Sequence, residues 1–568
     1  MSTPPLSMAT SEDLPSTPRR RCSPREVGRV VWTHLIRHTG VGITLAVAYF
    51  DPGNWSVDLQ AGSDFGYKLL FIVLLAGFFA VFLQSLACKM GIVTGLDLAA
   101  HCRLLLHSRT QRPKLFRWLT LYPLYVFSEI AIIATDLAEL LGSAIALNIL
   151  FPKLPLWAGV LLTASDVFLI LAFGDPLRKR PVKVFELLIG VLVLITLVCM
   201  CIIISRVNVE WGQAFLGYVP SKTIFQSGGL YTSVGILGAT VMPHSIFLGS
   251  ALATQDRVST TAVPFEDKDE KLSRRMTGES VYENESALDT VIDRRSPWRR
   301  WFIAFFGYKA SSSTEPQRHS EWENNTLDFI RAHLRHAIVN IITSLLGIAV
   351  VINSLILILA SAVFRDSAEA TSSLFDAADL IGSTLGHGLE IVFALALLAA
   401  GQSASLVATV AGQIVSEGFL RWKVSPIFRR FLTRLLGLIP SMVVAIAAGR
   451  NGIDTMLVAS QVALSLVLPF IIFPLILITS TKSMMRVRVP ASPRGRSGIV
   501  STGQESNRDL SLSPTPTLSD ASDPEGNGDS FVEYSNSWLT VGIALAIWGI
   551  IVAANCYVIV SLILGNEG

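Results

Sequence analysis

Two short segments set unusual chemistry in the middle of apolar stretches. The first reads Ala48-Tyr49-Phe50-Asp51-Pro52-Gly53-Asn54 and the second Gly238-Ala239-Thr240-Val241-Met242-Pro243-His244. Proline has no N–H, so Pro52 leaves the carbonyl of Ala48 without its helical donor, and Pro243 does the same for Ala239. The residue before each proline, Asp51 or Met242, is pushed out of helical geometry. Each segment therefore offers a bare carbonyl and an unusual side chain at one depth. Proline alone is frequent in membrane helices and often only kinks them; the acid changes the reading. A carboxylate at bilayer depth costs roughly 2.5–3.5 kcal/mol on insertion scales, and an unpaired Asp51 makes sense there if it binds something cationic. Asp51, the amide oxygen of Asn54 and the two freed carbonyls are hard oxygen ligands, whereas Met242 brings a soft thioether. Calcium and magnesium take oxygen-only shells; a thioether helps to hold softer transition metals. The mixed set suggests Mn²⁺, Fe²⁺ or a neighbouring metal. An isolated methionine is more commonly a core filler, and the position of Met242 directly before a break is what argues otherwise.

A second constellation is Glu129-Ile-Ala-Ile-Ile-Ala-Thr-Asp136-Leu-Ala-Glu139. Spacings of seven and three put the three acids on one helical face. Acid chains that face a bundle interior serve as proton relays; the other reading is a structural network paired with buried arginine or amide groups. His244, next to the second break, titrates in the range a relay needs, although a lone histidine is more often simply hydrogen-bonded. Asp166 and Glu186 read as structural or rim-facing.

The elements that must position these residues are membrane helices. The 568-residue chain is 51% hydrophobic and 16% charged, against about 25% charged residues in soluble domains, and its mean hydropathy is +0.52. Eleven apolar stretches are candidate spans, at about 39–62, 69–88, 119–149, 156–173, 184–204, 227–253, 336–361, 388–417, 435–449, 453–480 and 538–564. The fold class expected is an all-α polytopic membrane protein. The breaks lie in helices one and six, equivalent positions if helices 1–5 and 6–10 are inverted five-helix repeats. Paired interruptions in matching helices point to a transporter's binding site.

The chain divides accordingly. Residues 1–38 form an N-terminal tail, 39–254 hold helices 1–6, 255–330 a polar loop, 331–481 helices 7–10, 482–536 a Ser/Pro/Gly-rich loop, and 537–568 helix 11 with a short C-terminus. The tail and both loops lack the apolar residues a core requires and are expected to be disordered. They carry Ser/Thr-Pro pairs beginning at Thr17, Ser23, Ser492, Ser513 and Thr515, suited to phosphorylation and to regulatory or trafficking partners. With the N-terminus in the cytoplasm, about 27 Lys and Arg fall on the cytoplasmic side, leaving out 255–330, against Lys68, Lys153, Arg206, Lys222, Arg365 and Arg450 opposite. The positive-inside rule selects that orientation. No cleavable signal is read in the first 38 residues, so helix 1 is expected to direct insertion. The sequons at Asn54, Asn284 and Asn324 then lie in a span or in the cytoplasm. The six cysteines, Cys22, Cys88, Cys102, Cys199, Cys201 and Cys556, show neither disulfide nor zinc spacing. No nucleophile–base set, phosphate loop or nucleic-acid motif occurs, which argues against an enzyme and gives no resident cofactor.

With these motifs assembled, the sequence resembles the Nramp family of proton-coupled metal transporters. The matching residues are Asp-Pro-Gly-Asn at 51–54, Met-Pro-His at 242–244 within GATVMPHSIFLGSAL, EIAIIATDLAELLGSA at 129–144, GQSASLVATVAGQIVSEGFL at 401–420 and SQVALSLVLPF at 460–470. The resemblance spans about residues 39–480 and is nearest to fungal members associated with manganese and iron uptake. It implies the ten-helix inverted-repeat fold of sodium-coupled amino-acid symporters with one added helix. It also implies metal binding by Asp51, Asn54, Met242 and the Ala48 and Ala239 carbonyls, with Gln461 as a further polar contributor. Protons would pass along Asp136 and Glu139, with Glu129 further on and Arg434 as counter-charge. Gly249 departs from the family pattern, standing where many members have a second histidine. The resulting expectation is a metal–proton symporter using alternating access, in the plasma membrane or, as the alternative, an endosomal or vacuolar membrane. Two rivals remain: a symporter of amino acids or other organic cations on the same fold, which would not want an Asp and a Met facing its site, and a transporter-like sensor signalling through its cytoplasmic segments.

Overall fold

The first membrane crossing is made of two helices with a gap between them. Helix α1 (residues 40–47) runs out in tight turns, with Ala48, Tyr49 and Phe50 donating to carbonyls only three residues back. Asp51 is extended (φ −65°, ψ 170°) and caps α2 (Pro52–Phe65), where Pro52 occupies the first helical turn, a position that needs no N–H. The sixth crossing repeats the device. Helix α8 (Gly229–Thr240) stops, Val241 and Met242 are non-helical, and α9 (Pro243–Leu252) starts on its proline.

The structure is a computed structural model and describes residues 40–109, 112–165, 183–226, 228–257, 318–365, 373–421, 426–447, 449–489 and 530–564. The other crossings in chain order are α3 (Leu70–Thr94), α5 (Tyr122–Leu150), α6 (Leu156–Ala164), α7 (Lys183–Ile204), α10 (Leu327–Val363), α12 (His387–Leu420), α13 (Pro426–Ala447), α14 (Gly449–Ser480) and α15 (Trp538–Ile563). Short helices lie between crossings, among them α4 (Leu98–Leu106) and α11 (Leu374–Leu385). Eight helical stretches are long and apolar enough to span a bilayer, one of them holding both α2 and α3. The shorter α1, α6 and α13 complete eleven crossings, and the fold is the all-α polytopic class expected, with helices one and six broken. The part of the fourth expected span after residue 165 lies outside the described residues, as do the tail at 1–38 and most of both long loops.

Helices α5 and α12 form the scaffold around the breaks, and α14 packs against α2, α5 and α8. The run Ala399–Ser405 shows how sequence sets this packing. Its buried residues are all small, which lets helix backbones approach closely in a membrane. At Gly401 any side chain would strike Ser143 of α5, with Pro52 alongside. Helix α15 is held to α14 by polar contacts. Pro469 cannot donate to the Ser465 carbonyl, and Asn555 Nδ2 donates to it instead at 2.6 Å. The Ser465 hydroxyl donates to Asn555 Oδ1 at 2.7 Å.

Two boundaries differ from expectation. Helix α10 begins at Leu327, because Thr326 caps it and its first turns are amphipathic; Asp328, Arg331 and Arg335 keep that stretch out of any apolar window. The end of the preceding loop is ordered too. Trp322 Nε1 donates to Thr94 O at 2.6 Å, and Asn325 donates to Val93 O and Ile92 O at 3.0 and 2.9 Å. These bonds satisfy carbonyls that the C-terminus of α3 leaves open. Asn324 Nδ2 donates to Met484 O and Arg486 O, each at 2.8 Å. The loop after α14 opens and closes with a two-stranded antiparallel clip, β1 (Arg486–Val489) on β2 (Ser530–Glu533), with Val487 opposite Val532. Four-residue strands leave no run long enough to read from sequence.

Candidate functional site

The two gaps are wired to each other. Tyr49 Oη lies 2.9 Å from Ser245 Oγ, and Ser245 Oγ donates to the Met242 carbonyl at 2.8 Å. Helix α14 wedges between them at Gln461. Its side chain abuts Gly53 in α2 and its backbone carbonyl abuts Gly238 in α8. A methyl group at Gly238 would overlap the backbone of α14, and one at Gly53 would displace the Gln461 amide.

Several buried oxygens of residues at this junction have no hydrogen-bond partner among the described residues. Asp51 spends Oδ1 on capping α2, accepting from Asn54 N at 2.9 Å. Its Oδ2 is buried and has no hydrogen-bond partner among the described residues. Asn54 commits its amide nitrogen to Tyr49 O at 2.6 Å, and Asn54 Oδ1 is left with none. Gln461 donates to Ser460 Oγ at 3.1 Å, and Gln461 Oε1 is left over in the same way. Asp51, Asn54, Met242 and Gln461 are all at most 1% exposed. Buried polar atoms are normally satisfied, so three orphan acceptors around one junction require a donor or a cation. The C-terminal carbonyl ends of α1 and α8 add partial negative charge there. Ala48 and Ala239, both buried, are the residues whose carbonyls Pro52 and Pro243 cannot serve.

The acids of α5 differ in their surroundings. Asp136 forms a buried ion pair with Arg434 of α13 at 3.0 Å, the two side chains being 2% and 3% exposed. Arg434 also donates to Ser405 of α12. Glu139 is buried one turn further along α5. Glu129 is only half-buried and is hydrogen-bonded by Tyr125. His244 Nδ1 lies 3.2 Å from Thr135 Oγ1, which joins the second break to the α5 segment holding Asp136. Glu186 pairs with Arg257 at 2.7 Å, a tie between α7 and the segment after α9, in line with its structural reading. Asp166 lies outside the described residues.

The sequence profile described as "Natural resistance-associated macrophage protein-like" matches residues 42–282 and 304–494. The chain belongs to the Nramp family. Among curated relatives, the manganese transporter SMF1 of Saccharomyces cerevisiae is 36% identical over 548 residues, covering 95% of this chain and 88% of that protein. The iron transporter SMF3 of the same yeast is 36% identical over 536 residues, covering 93% and 96%. A crystal structure of a mutant of the Eremococcus coleocola manganese transporter is 27% identical, covers 95% of this chain and 89% of that one, and superposes with a TM-score of 0.65. As an Nramp protein the chain is an integral membrane transporter and not an enzyme.

Sequence reasoning passed over several polar residues of this Nramp core. Asn353 of α10 donates to Tyr49 O at 2.7 Å, so one carbonyl holds both Asn54 and Asn353. Asp58 is buried on α2, and its Oδ2 has no hydrogen-bond partner among the described residues. It sits seven residues after Asp51, on the same face, and the insertion cost that singled out Asp51 applies equally to it. Gln84 Oε1 accepts from Tyr49 Oη at 3.3 Å. Its amide fills the space beside Gly249 that any side chain at 249 would occupy.

Proposed function

We propose that this transporter imports divalent transition-metal ions, Mn²⁺ or Fe²⁺, together with protons by alternating access. The observation that carries the reading is the set of orphan oxygens Asp51 Oδ2, Asn54 Oδ1 and Gln461 Oε1 at the meeting point of two broken helices. In this reading Asp51, Asn54, Gln461 and the Ala48 and Ala239 carbonyls supply oxygen to the metal, and the Met242 thioether selects against harder cations. The relatives named for manganese and iron transport support the same cargo. Protons pass along Asp136 and Glu139, with His244 linking them to the metal and Glu129 further out; Arg434 balances Asp136. The N-terminus is cytoplasmic, the proton gradient drives the metal inward, and the plasma membrane is the favoured location. Uptake of radioactive Mn²⁺ by the reconstituted protein tests the reading: an inward proton gradient should accelerate it, and a rate equal to that of protein-free liposomes would overturn it.

Two substitutions probe the division of labour. Met242→Ala should lower discrimination against Ca²⁺ more than it lowers Mn²⁺ affinity, since the thioether is the one soft ligand. Competition of Ca²⁺ with Mn²⁺ uptake measures this, and an unchanged selectivity ratio would remove Met242 from the selective shell. Asp136→Asn and Glu139→Gln should alter the pH dependence of uptake while leaving Mn²⁺ binding by calorimetry nearly unchanged. Equal loss of binding would move these acids into the metal shell.

A further inference from the structure

Away from the broken helices, α4, α5, α14 and α15 enclose an apolar groove of about 1210 Å³. Phe127 and Ile130 of α5, Phe470, Phe473 and Leu477 of α14, and Trp548 of α15 line its walls. Phe470, Phe473 and Leu477 are each about half exposed, at 51%, 50% and 50%. On a membrane-spanning helix such exposure means contact with acyl chains, not water. The groove therefore opens sideways into the bilayer.

One end differs from the rest. It is bounded by Arg109, just after α4, and by Thr481 and Met484, just after α14, and Arg109 is the only charged side chain among the described residues lining the groove. Its guanidinium stacks 4.1 Å over the Phe116 ring, which holds an exposed cation at the rim. The surroundings are positive as well. His107, two residues before Arg109, has its imidazole pushed down to about 4, first by burial and then by Arg103, Arg117 and Arg421. A cation at the headgroup level above a bilayer-facing apolar groove matches the two ends of an anionic lipid.

We propose that this groove binds an anionic phospholipid drawn from the surrounding bilayer, with its phosphate on Arg109 and an acyl chain along α5, α14 and α15. Such a lipid joins the peripheral α15 to the helices that carry Asp136 and Gln461.

Native mass spectrometry of the purified full chain tests this, with phosphatidylglycerol and phosphatidylcholine of identical acyl chains as probes. The wild-type protein should retain phosphatidylglycerol preferentially. One basic side chain near an anionic headgroup is worth roughly a fivefold change in affinity, so Arg109→Gln should lose about that factor for phosphatidylglycerol and little for phosphatidylcholine. Ile130→Trp, which fills the wall, should weaken both lipids. Equal retention of the two lipids by the wild type would overturn the proposal, as would unchanged phosphatidylglycerol binding by Arg109→Gln. So would competition by free glycerophosphoglycerol as strong as by the whole lipid, or a dimer that covers the groove in lipid-free protein. Thermal unfolding of each variant in detergent identifies any that fail to fold, and Arg109→Lys, which keeps the charge, should then restore most of the preference.

Discussion

Asp51→Ala is expected to abolish Mn²⁺ uptake by the reconstituted protein. The side chain has two tasks. Oδ1 caps α2 through Asn54 N at 2.9 Å, and Oδ2 is buried with no hydrogen-bond partner among the described residues. Loss of a cap costs about 1 kcal/mol, a modest effect on stability. Loss of the anionic partner from a buried charged contact costs about 3–5 kcal/mol, which corresponds to a fall in Mn²⁺ affinity of roughly a hundredfold or more. Asp51→Asn separates the two tasks, since it keeps an oxygen for the cap and removes the charge. It should melt close to the wild type and still fail to transport. Wild-type uptake by Asp51→Asn at limiting Mn²⁺ would show that the carboxylate is structural.

The second large effect belongs to Arg434. Its ion pair with Asp136 spans 3.0 Å with both side chains almost fully buried. Arg434→Met leaves the carboxylate without this partner, and breaking one side of a buried pair costs about 3–5 kcal/mol. The variant should melt well below the wild type in detergent. Asp136→Asn combined with Arg434→Met removes both charges and should recover most of the loss, because replacing a whole buried pair is often neutral. The single and double variants form a cycle whose coupling isolates the pair. A double variant as unstable as Arg434→Met would place the arginine's importance elsewhere, in its contact with Ser405 of α12. Transport by a stable double variant should still show an altered response to pH, since an acid of the proposed route is gone.

Much of this was legible in the chain itself, for reasons particular to membranes. A bilayer forbids unsatisfied backbone, so Pro52 and Pro243 could be read as breaks, and Asp51 and Met242 are non-helical as their position before proline requires. Acids at bilayer depth are conspicuous, which brought out Asp136 and Glu139. What stayed hidden depends on three-dimensional neighbours. Tyr49 reads as one more aromatic in an apolar run, yet its carbonyl and hydroxyl tie Asn54, Asn353, Ser245 and Gln84 together. Asp58 had a visible signal, an acid one heptad from Asp51, that was passed over. The order at 318–326 was invisible because it rests on single side chains, Trp322, Asn324 and Asn325, that bind open carbonyls on distant segments. Gly53 and Gly238 gave no periodic signal at all; their meaning is the close approach of Gln461.

A transition metal is expected to sit where the two broken helices meet. Anomalous scattering measured at the manganese absorption edge, on crystals of the protein grown with Mn²⁺, tests it most directly. The strongest peak should lie against Asp51 Oδ2, within reach of Asn54 Oδ1 and the Met242 sulfur. A strongest peak elsewhere, with none bonded to Asp51, would contradict the account.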